Sequence, residues 1–143
     1  MYLKVRILYI DNLNSLDSII KAHNKLNILD KIFKDNNVYK IASDKDFKLE
    51  LLIDQIDSKT LNETLNNITS ADFEKLDIEL LNTIDIFLKN NLSITNTAKE
   101  LYIHRNTLIY RLDKIKQLTN LDIRIFKDAF WMVIAKTIYT KLK

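Results

Sequence analysis

The sequence lacks cysteine altogether. This absence excludes disulfide bridges, cysteine-ligated zinc sites and thiol nucleophiles. Only two histidines are present, which also argues against a structural metal site. The sequence therefore predicts no bound metal.

Glycine and proline are absent as well. Turns must then use Asn, Asp, Ser or Lys, and no part of the backbone can rely on the conformational freedom of glycine. Glycine-rich phosphate loops, dinucleotide-binding fingerprints and glycine-flanked serine nucleophiles are excluded. Nothing that remains supports an enzyme, and no cofactor is implied.

Long apolar runs are missing too. No segment is long and apolar enough to span a bilayer, and the N-terminus lacks the charged-then-apolar pattern of a signal peptide. The 143 residues, 47% of them apolar, suffice for one domain or two small ones. We expect a soluble cytoplasmic protein with no membrane partner.

The charge is unevenly distributed along the chain. Residues 92–143 hold 10 Lys and Arg against 4 Asp and Glu, whereas residues 1–91 hold 12 against 15. A basic C-terminal third suits a phosphate-binding surface, because affinity for nucleic acid depends largely on Lys and Arg that neutralise phosphates. Basic solvated faces are nevertheless common, so charge alone does not establish nucleic-acid binding.

Two stretches of the first 72 residues predict β-strands. Residues 2–10 alternate apolar and polar side chains, and residues 38–42 form a second short run. So small a sheet leaves both edges unpaired, and pairing with a second copy is the simplest way to complete it. We therefore expect a homodimer formed through the N-terminal region.

Helical periodicity fills the rest of this region. Ser15 is the expected N-cap of a helix that ends near Asp35, and Ser43 or Asp44 should cap another that runs to Ile56. The apolar residues expected on the buried faces of these two helices are Leu16, Ile19, Ile20, Leu26, Leu29, Phe47, Leu51 and Leu52, with His23 at the edge of the core. A polar helix then precedes residues 68–77, which we interpret as a connection between two modules.

From residue 73 onward the pattern predicts only helices. Apolar spacing indicates helices over 77–88, 95–101 and about 104–118, and Asp122 is the expected cap of a last helix. The predicted fold class is mainly α, with an α+β piece over residues 1–72 and a helical bundle over residues 73–143.

The run AKELYIHRNTLIYRLDKI, residues 98–115, carries polar side chains at helical spacing. Leu108, Leu112 and Ile115 share one face and form the predicted buried stripe. Asn106 and Tyr110 lie on the opposite face. Such a pattern serves two purposes, since one face packs and the other is available for contact.

Two short helices joined by a tight turn, with the small Ala98 in the first, form a helix-turn-helix. The first residues of the second helix reach base edges in the major groove of double-stranded DNA, where Arg suits guanine and Asn suits adenine. Hydroxyl and basic side chains contact phosphates. The predicted DNA-binding residues are Thr95, Asn96, His104, Arg105, Asn106, Thr107, Tyr110, Arg111 and Lys114. Tyr102 occupies a turn position that is often glycine, where a positive φ would cost roughly 1 kcal/mol or more.

Each assignment has a structural alternative. Arg105 and Asn106 could be ordinary surface residues at a helix start, and His104 could be the N-cap. Arg111 could pair with Asp113 or with a carboxylate at the edge of the core.

Two further groups have alternatives of their own. A solvated basic face that adds nonspecific attraction is expected from Lys114, Lys116, Arg124 and Lys127. The segment AFWMVIA, residues 129–135, is more broadly apolar than one packed face requires, so we expect it to be partly buried in an interface.

The run also resembles the signature of the C-terminal helix-turn-helix of PucR-type transcriptional regulators, the group that includes purine-catabolism and sugar-diacid regulators. The specific motif is HRNTLIYRL, residues 104–112, and the likeness covers residues 77–142. It implies sequence-specific DNA binding by a homodimer.

A fainter likeness covers residues 15–76, where NVYKIASDKDFKLELLIDQI resembles the tail of a degenerate GGDEF-like domain. The chain has no glycine, so the catalytic loop of diguanylate cyclases is absent and no cyclase activity is expected. Two other functions compete with DNA binding. One is a truncated paralogue that modulates a full-length regulator through heterodimers, and the other is a small-molecule sensor with a pocket in the N-terminal region, whose effector the sequence leaves unknown.

Overall fold

The computed structural model describes residues 7–11, 13–35, 41–69 and 71–143. The chain divides into an N-terminal unit, which ends at Ser58, and a C-terminal unit, Lys59–Leu142. Helices dominate the described residues, and the sheet within them has two short strands. The predicted fold class, mainly α, is confirmed.

The N-terminal unit contains a small parallel sheet. Strand β1 (Ile7–Tyr9) pairs with β2 (Ile41–Ser43), so that Ile7 lies opposite Ile41. Helix α1 (Leu16–Asp35) belongs to the crossover that a parallel pair requires. The parts of the predicted strands at residues 2–6 and 38–40 lie outside the described residues.

Serine side chains cap the helical segments of this unit, as predicted. Ser15 Oγ accepts a hydrogen bond from the backbone N–H of Ser18 at 3.2 Å. Ser43 caps a 3-10 helix (Asp44–Phe47), and the Asp46 carboxylate accepts a bond from the Ser43 N–H at 2.9 Å, which completes a capping box. Helix α2 (Lys48–Asp54) follows.

The apolar face of α1 is less buried than predicted. Leu29 is buried, whereas Leu16, Ile19 and Ile20 are exposed, Leu16 to 81%. His23 is also exposed, so its prediction as a core-edge residue is wrong. Within the described part of this unit, the elements that contact α1 are α2, the 3-10 helix and β1, which is too little to cover its whole length.

The second helical segment also buries a different residue than predicted. Ile53 is buried, and Leu52 is 59% exposed. The segment begins as a 3-10 helix with three residues per turn, so the face that points inward shifts relative to a continuous α-helix.

Five α-helices and a 3-10 helix (Ala71–Lys75) of the described residues build the C-terminal unit. The α-helices are α3 (Ser58–Ile68), α4 (Ile78–Lys89), α5 (Ile94–Glu100), α6 (Arg105–Thr119) and α7 (Phe126–Leu142). Helices α4, α5, α6 and α7 share one apolar core. Its fully buried side chains include Ile84, Phe87, Leu108, Ile115 and Met132.

The division between the units lies earlier than the predicted boundary at residues 72 and 73. Leu65 and Ile68 of α3 pack against the C-terminal core, which places this helix in the C-terminal unit. Phe73 is buried in the same core and meets the ring of Tyr139 edge-on, with ring centroids 5.2 Å apart. Ile68, Phe73 and Leu76 therefore contribute side chains to this core, although their segment reads as a connection in the sequence.

An ion-pair network fixes the loop between α6 and α7. The Asp122 carboxylate accepts hydrogen bonds from Arg124 Nε at 2.7 Å and Nη2 at 2.9 Å, and Lys116 Nζ lies 3.2 Å away. Arg124 Nη1 also contacts Asp113 at 2.8 Å. These partners, Arg124 first, lower the pKa of the Asp122 carboxyl to about 2.

This network corrects two predictions. Asp122 does not cap α7, which begins four residues later at Phe126, because its carboxylate is bound to Arg124 within the loop. Lys116 and Arg124 are not simply solvated cations, since both pair with Asp122.

The network predicts a loss of stability in acid. The folded pKa of Asp122, about 2, lies below the reference value of 3.8, so its contribution is complete above about pH 4 and disappears as the pH falls through 2. Asp122→Asn should lower the free energy of unfolding at neutral pH by up to about 2 kcal/mol and flatten its dependence between these pH values. Denaturant titrations across this range measure both effects.

Asp113→Asn is the matched control, because Asp113 is 58% exposed and contacts the same arginine. It should cost well under about 1 kcal/mol. Equal losses for the two variants would contradict the assignment to Asp122.

Candidate nucleic-acid interface

Helices α5 and α6 form a helix-turn-helix. Ala98, buried in α5, accepts a backbone bond from the Ile103 N–H at 3.0 Å, which closes the turn. Leu108, Leu112 and Ile115 are each at most 1% exposed to solvent. The predicted apolar stripe of α6 is therefore confirmed. Burial of this stripe directs the opposite side of the helix outward.

The outward side of α6 carries the predicted base-contacting residues. Arg105, Asn106 and Thr107 form the exposed first turn, and Tyr110 and Lys114 are exposed further along. Within the described residues, the side chains of Arg105 and Asn106 make no hydrogen bond or ion pair. Their donors and acceptors are therefore available to a ligand.

The other predicted DNA-binding residues lie at the start of α5 and just before α6. Thr95 and Asn96 are exposed in the first turn of α5, where Ser93 Oγ caps the helix by accepting from the Asn96 N–H at 3.3 Å. His104 is the N-cap of α6, and its Nδ1 accepts from the Asn106 N–H at 3.3 Å. A neutral imidazole that accepts at Nδ1 still carries a donor at Nε2, so capping and phosphate contact are compatible.

Arg111 has a structural role in this conformation. Its side chain is 15% exposed, and its guanidinium contacts Glu79 at 2.6 Å and Thr83 Oγ1 at 3.3 Å, both on α4. The alternative that Arg111 pairs with a carboxylate at the core edge is thus what the structure shows. Among the predicted DNA-contacting side chains, Arg111 and the Nδ1 of His104 are thus occupied by described partners.

The nine Lys and Arg residues between residues 89 and 136 fall into two groups. Lys89, Arg111, Lys116, Arg124 and Lys136 pair with carboxylates and hold the fold together. Lys99, Arg105, Lys114 and Lys127 are exposed and form no ion pair with a described residue. Within residues 89–136, the exposed cations without a described carboxylate partner are therefore those of the second group.

The nearby acids are neutralised. Glu100, the carboxylate of α5, contacts Lys89 at 2.5 Å and Asn90 at 2.9 Å, and these partners lower its pKa. Asp113 pairs with Arg124. Neither acid offsets the cations on the first turns of α6.

Lys99 was missed by the sequence prediction. It is exposed at the C-terminal end of α5, immediately before the turn. A usable signal was present, because Lys99, Arg105 and Lys114 have no acidic residue three or four positions away on their helices. The pairing of Arg111 with Glu79, 32 residues earlier, had no comparable local signal.

Residues 80–136 match the family model of the PucR C-terminal helix-turn-helix domain. These residues of the C-terminal unit are therefore similar to a PucR-type helix-turn-helix domain. This match confirms the resemblance carried by HRNTLIYRL.

The chain is also similar to parts of several known proteins. The chain is 40% identical to the uncharacterized protein YxkF of Bacillus subtilis over 74 residues, 50% of this chain and 25% of that protein. It is 39% identical to the purine catabolism regulatory protein of the same organism over 66 residues, 46% of this chain and 12% of that protein. It is 33% identical to the carbohydrate diacid regulator of Escherichia coli over 95 residues, 64% of this chain and 24% of that protein. The chain thus matches a quarter or less of the length of these relatives.

Tyr102 occupies the turn of the PucR-type motif in a strained backbone conformation. Its φ is 54°, and its side chain is 96% exposed. Leu92 shares a positive φ but packs against the core, and the other two positive-φ residues of the described chain are asparagines, which tolerate this region. The positive φ of Tyr102 therefore costs conformational free energy that no side-chain packing offsets.

Replacing Tyr102 with asparagine should stabilise the protein. Tyr102→Asn relieves the left-handed strain and removes almost no contact, so the free energy of unfolding should rise by roughly 1 kcal/mol. Denaturant unfolding measures the change. Leu92→Asn is the matched control and should destabilise, because it removes a side chain that packs against the core. A decrease for Tyr102→Asn would show that this side chain makes stabilising contacts.

Proposed function

We propose that this protein is a sequence-specific DNA-binding transcriptional regulator whose helix α6 enters the major groove. The observation that carries the proposal is the first turn of α6, where Arg105 and Asn106 are exposed and lack partners among the described residues. Their side chains suit bidentate contacts with guanine and adenine. The PucR-type domain match supports the same function.

The flanking residues are suited to hold the DNA backbone. Thr95, Asn96, Thr107 and Tyr110 present hydroxyl or amide groups, and exposed cations add attraction to phosphates. We assign Lys114 to this role and add Lys99, because neither has a carboxylate partner among the described residues. Arg111 contributes indirectly, since its contacts with Glu79 and Thr83 tie α6 to α4.

We further propose that the protein acts as a homodimer, so that two α6 helices meet successive major grooves about 34 Å apart. The N-terminal unit supports self-association because Leu16, Ile19 and Ile20 expose an apolar strip on α1. Its sheet has two strands, each with an outer edge that no other described strand covers. The likeness of residues 15–76 to a GGDEF-like domain stays a prediction.

The second candidate is an interaction module that forms heterodimers with a full-length regulator. The same exposed strip on α1 favours it. The two functions differ in what they require of Arg105 and Asn106, which contribute only to DNA binding.

The first test is binding of the purified protein to the DNA upstream of its own coding sequence, with a scrambled fragment as control, at two salt concentrations. A sequence-specific regulator binds the native fragment more tightly, and the preference persists at the higher salt. Equal and salt-sensitive binding to both fragments would contradict specific recognition and favour the interaction module.

Substitutions on α6 then separate base recognition from phosphate contact. Arg105→Ala should weaken binding to the native fragment by about 1–3 kcal/mol and relax sequence preference. Lys114→Ala should weaken binding to all DNA alike and reduce the salt slope by about 1. Fluorescence anisotropy with both fragments measures each change.

Gln117→Ala is the matched control, because Gln117 is exposed on the same side of α6 but far from the first turn. It should bind like the unmodified protein. Equal effects of Arg105→Ala and Lys114→Ala on every DNA would count against direct base recognition.

A further inference from the structure

Helix α7 exposes an apolar seam on the side away from the core. Ala129, Met132, Ala135 and Ile138 are buried. Phe126 and Phe130 are 79% and 52% exposed, and Val133 is 36% exposed. Because Phe126 is so accessible to solvent, its large side chain adds little hydrophobic stabilisation to the C-terminal unit.

The seam has the spacing of a helix–helix contact. Phe126, Phe130, Val133 and Thr137 follow one another at intervals of four, three and four residues, which is the spacing of the a and d positions of a coiled coil. Trp131 widens the seam, since its ring meets that of Phe130 edge-on with centroids 5.5 Å apart.

We propose that this seam of α7 is a self-association surface that pairs with the same seam of a second copy of the chain. Residues 129–135 carry no charge, and the described residues of the C-terminal unit leave the seam exposed. A two-fold contact requires one patch to complement itself, and an uncharged apolar seam meets that condition.

The exposed apolar area of the seam is consistent with pairing to a second copy of the chain. Scaled by their exposed fractions, its three aromatic side chains and Val133 offer about 400 Å² of apolar surface per copy. Specific interfaces bury roughly 600–800 Å² per partner, of which somewhat more than half is apolar. The seam therefore supplies the apolar part of an interface at the lower end of this range, and the dimer should dissociate on dilution.

This surface differs from the exposed strip of α1 and does not require DNA binding. It deepens the proposed function, because a contact through α7 would join two helix-turn-helix motifs directly within their own units. Self-association and DNA binding can be measured separately, so failure of one is distinguishable from failure of the other.

The test is sedimentation equilibrium of the full chain over a wide concentration range. Phe130→Ser should raise the dimer dissociation constant at least about tenfold, as expected for an aromatic residue at the centre of an interface. Tyr110→Ser, which removes an exposed aromatic of α6 outside the seam, should leave it unchanged, and Ile20→Ser tests the strip on α1. A wild-type chain that stays monomeric, or a Phe130→Ser chain with an unchanged dissociation constant, would overturn the proposal.

A second measurement needs no substitution. Trp131 is the single tryptophan of the chain and borders the seam, so its fluorescence reports burial there. Its emission should move to longer wavelength on dilution, over the same concentrations at which the mass falls from dimer to monomer. An emission maximum that is constant across that transition would place the dimer contact elsewhere and overturn the proposal.

Discussion

The C-terminal unit depends on the burial of one apolar stripe. Leu108, Leu112 and Ile115 of α6 are almost completely removed from solvent, and each contributes about 1.5–3 kcal/mol of hydrophobic stabilisation. Because the stripe is fixed to the core, the rotation of α6 about its axis is fixed as well. The outward position of Arg105 and Asn106 is a consequence of that packing, so the candidate interface and the core are set by the same residues.

Polar contacts at the edge of the core add precision to this arrangement. Arg111 links α6 to Glu79 and Thr83 of α4, and Asp122 holds the loop after α6 through Arg124 and Lys116. The carboxylates of Glu79 and Asp122 are engaged in these contacts. Arg105 and Lys114 of α6, by contrast, have no described partner.

Because glycine is absent, positions with a positive φ must be occupied by residues for which that conformation is strained. The structure compensates for this strain in different ways. Asn91 and Asn120 adopt positive φ with a residue suited to it, and Leu92 offsets its strain by packing against the core. Tyr102, in the turn of the helix-turn-helix, has neither compensation. The strain that neither residue type nor packing offsets therefore lies in the turn between α5 and α6.

The helix-turn-helix, the buried face of α6 and its exposed first turn could all be predicted from sequence patterns. These features follow from local periodicity and capping, which act over a few residues and leave a readable pattern. Tertiary structure decided the partner of Arg111, the role of Asp122, the inclusion of α3 and Phe73 in the C-terminal core, and the exposure of Leu16 and Phe126. Each of these depends on contacts between residues distant in the chain or on how much surface a neighbouring element can cover, and neither is encoded in the spacing of a single helix.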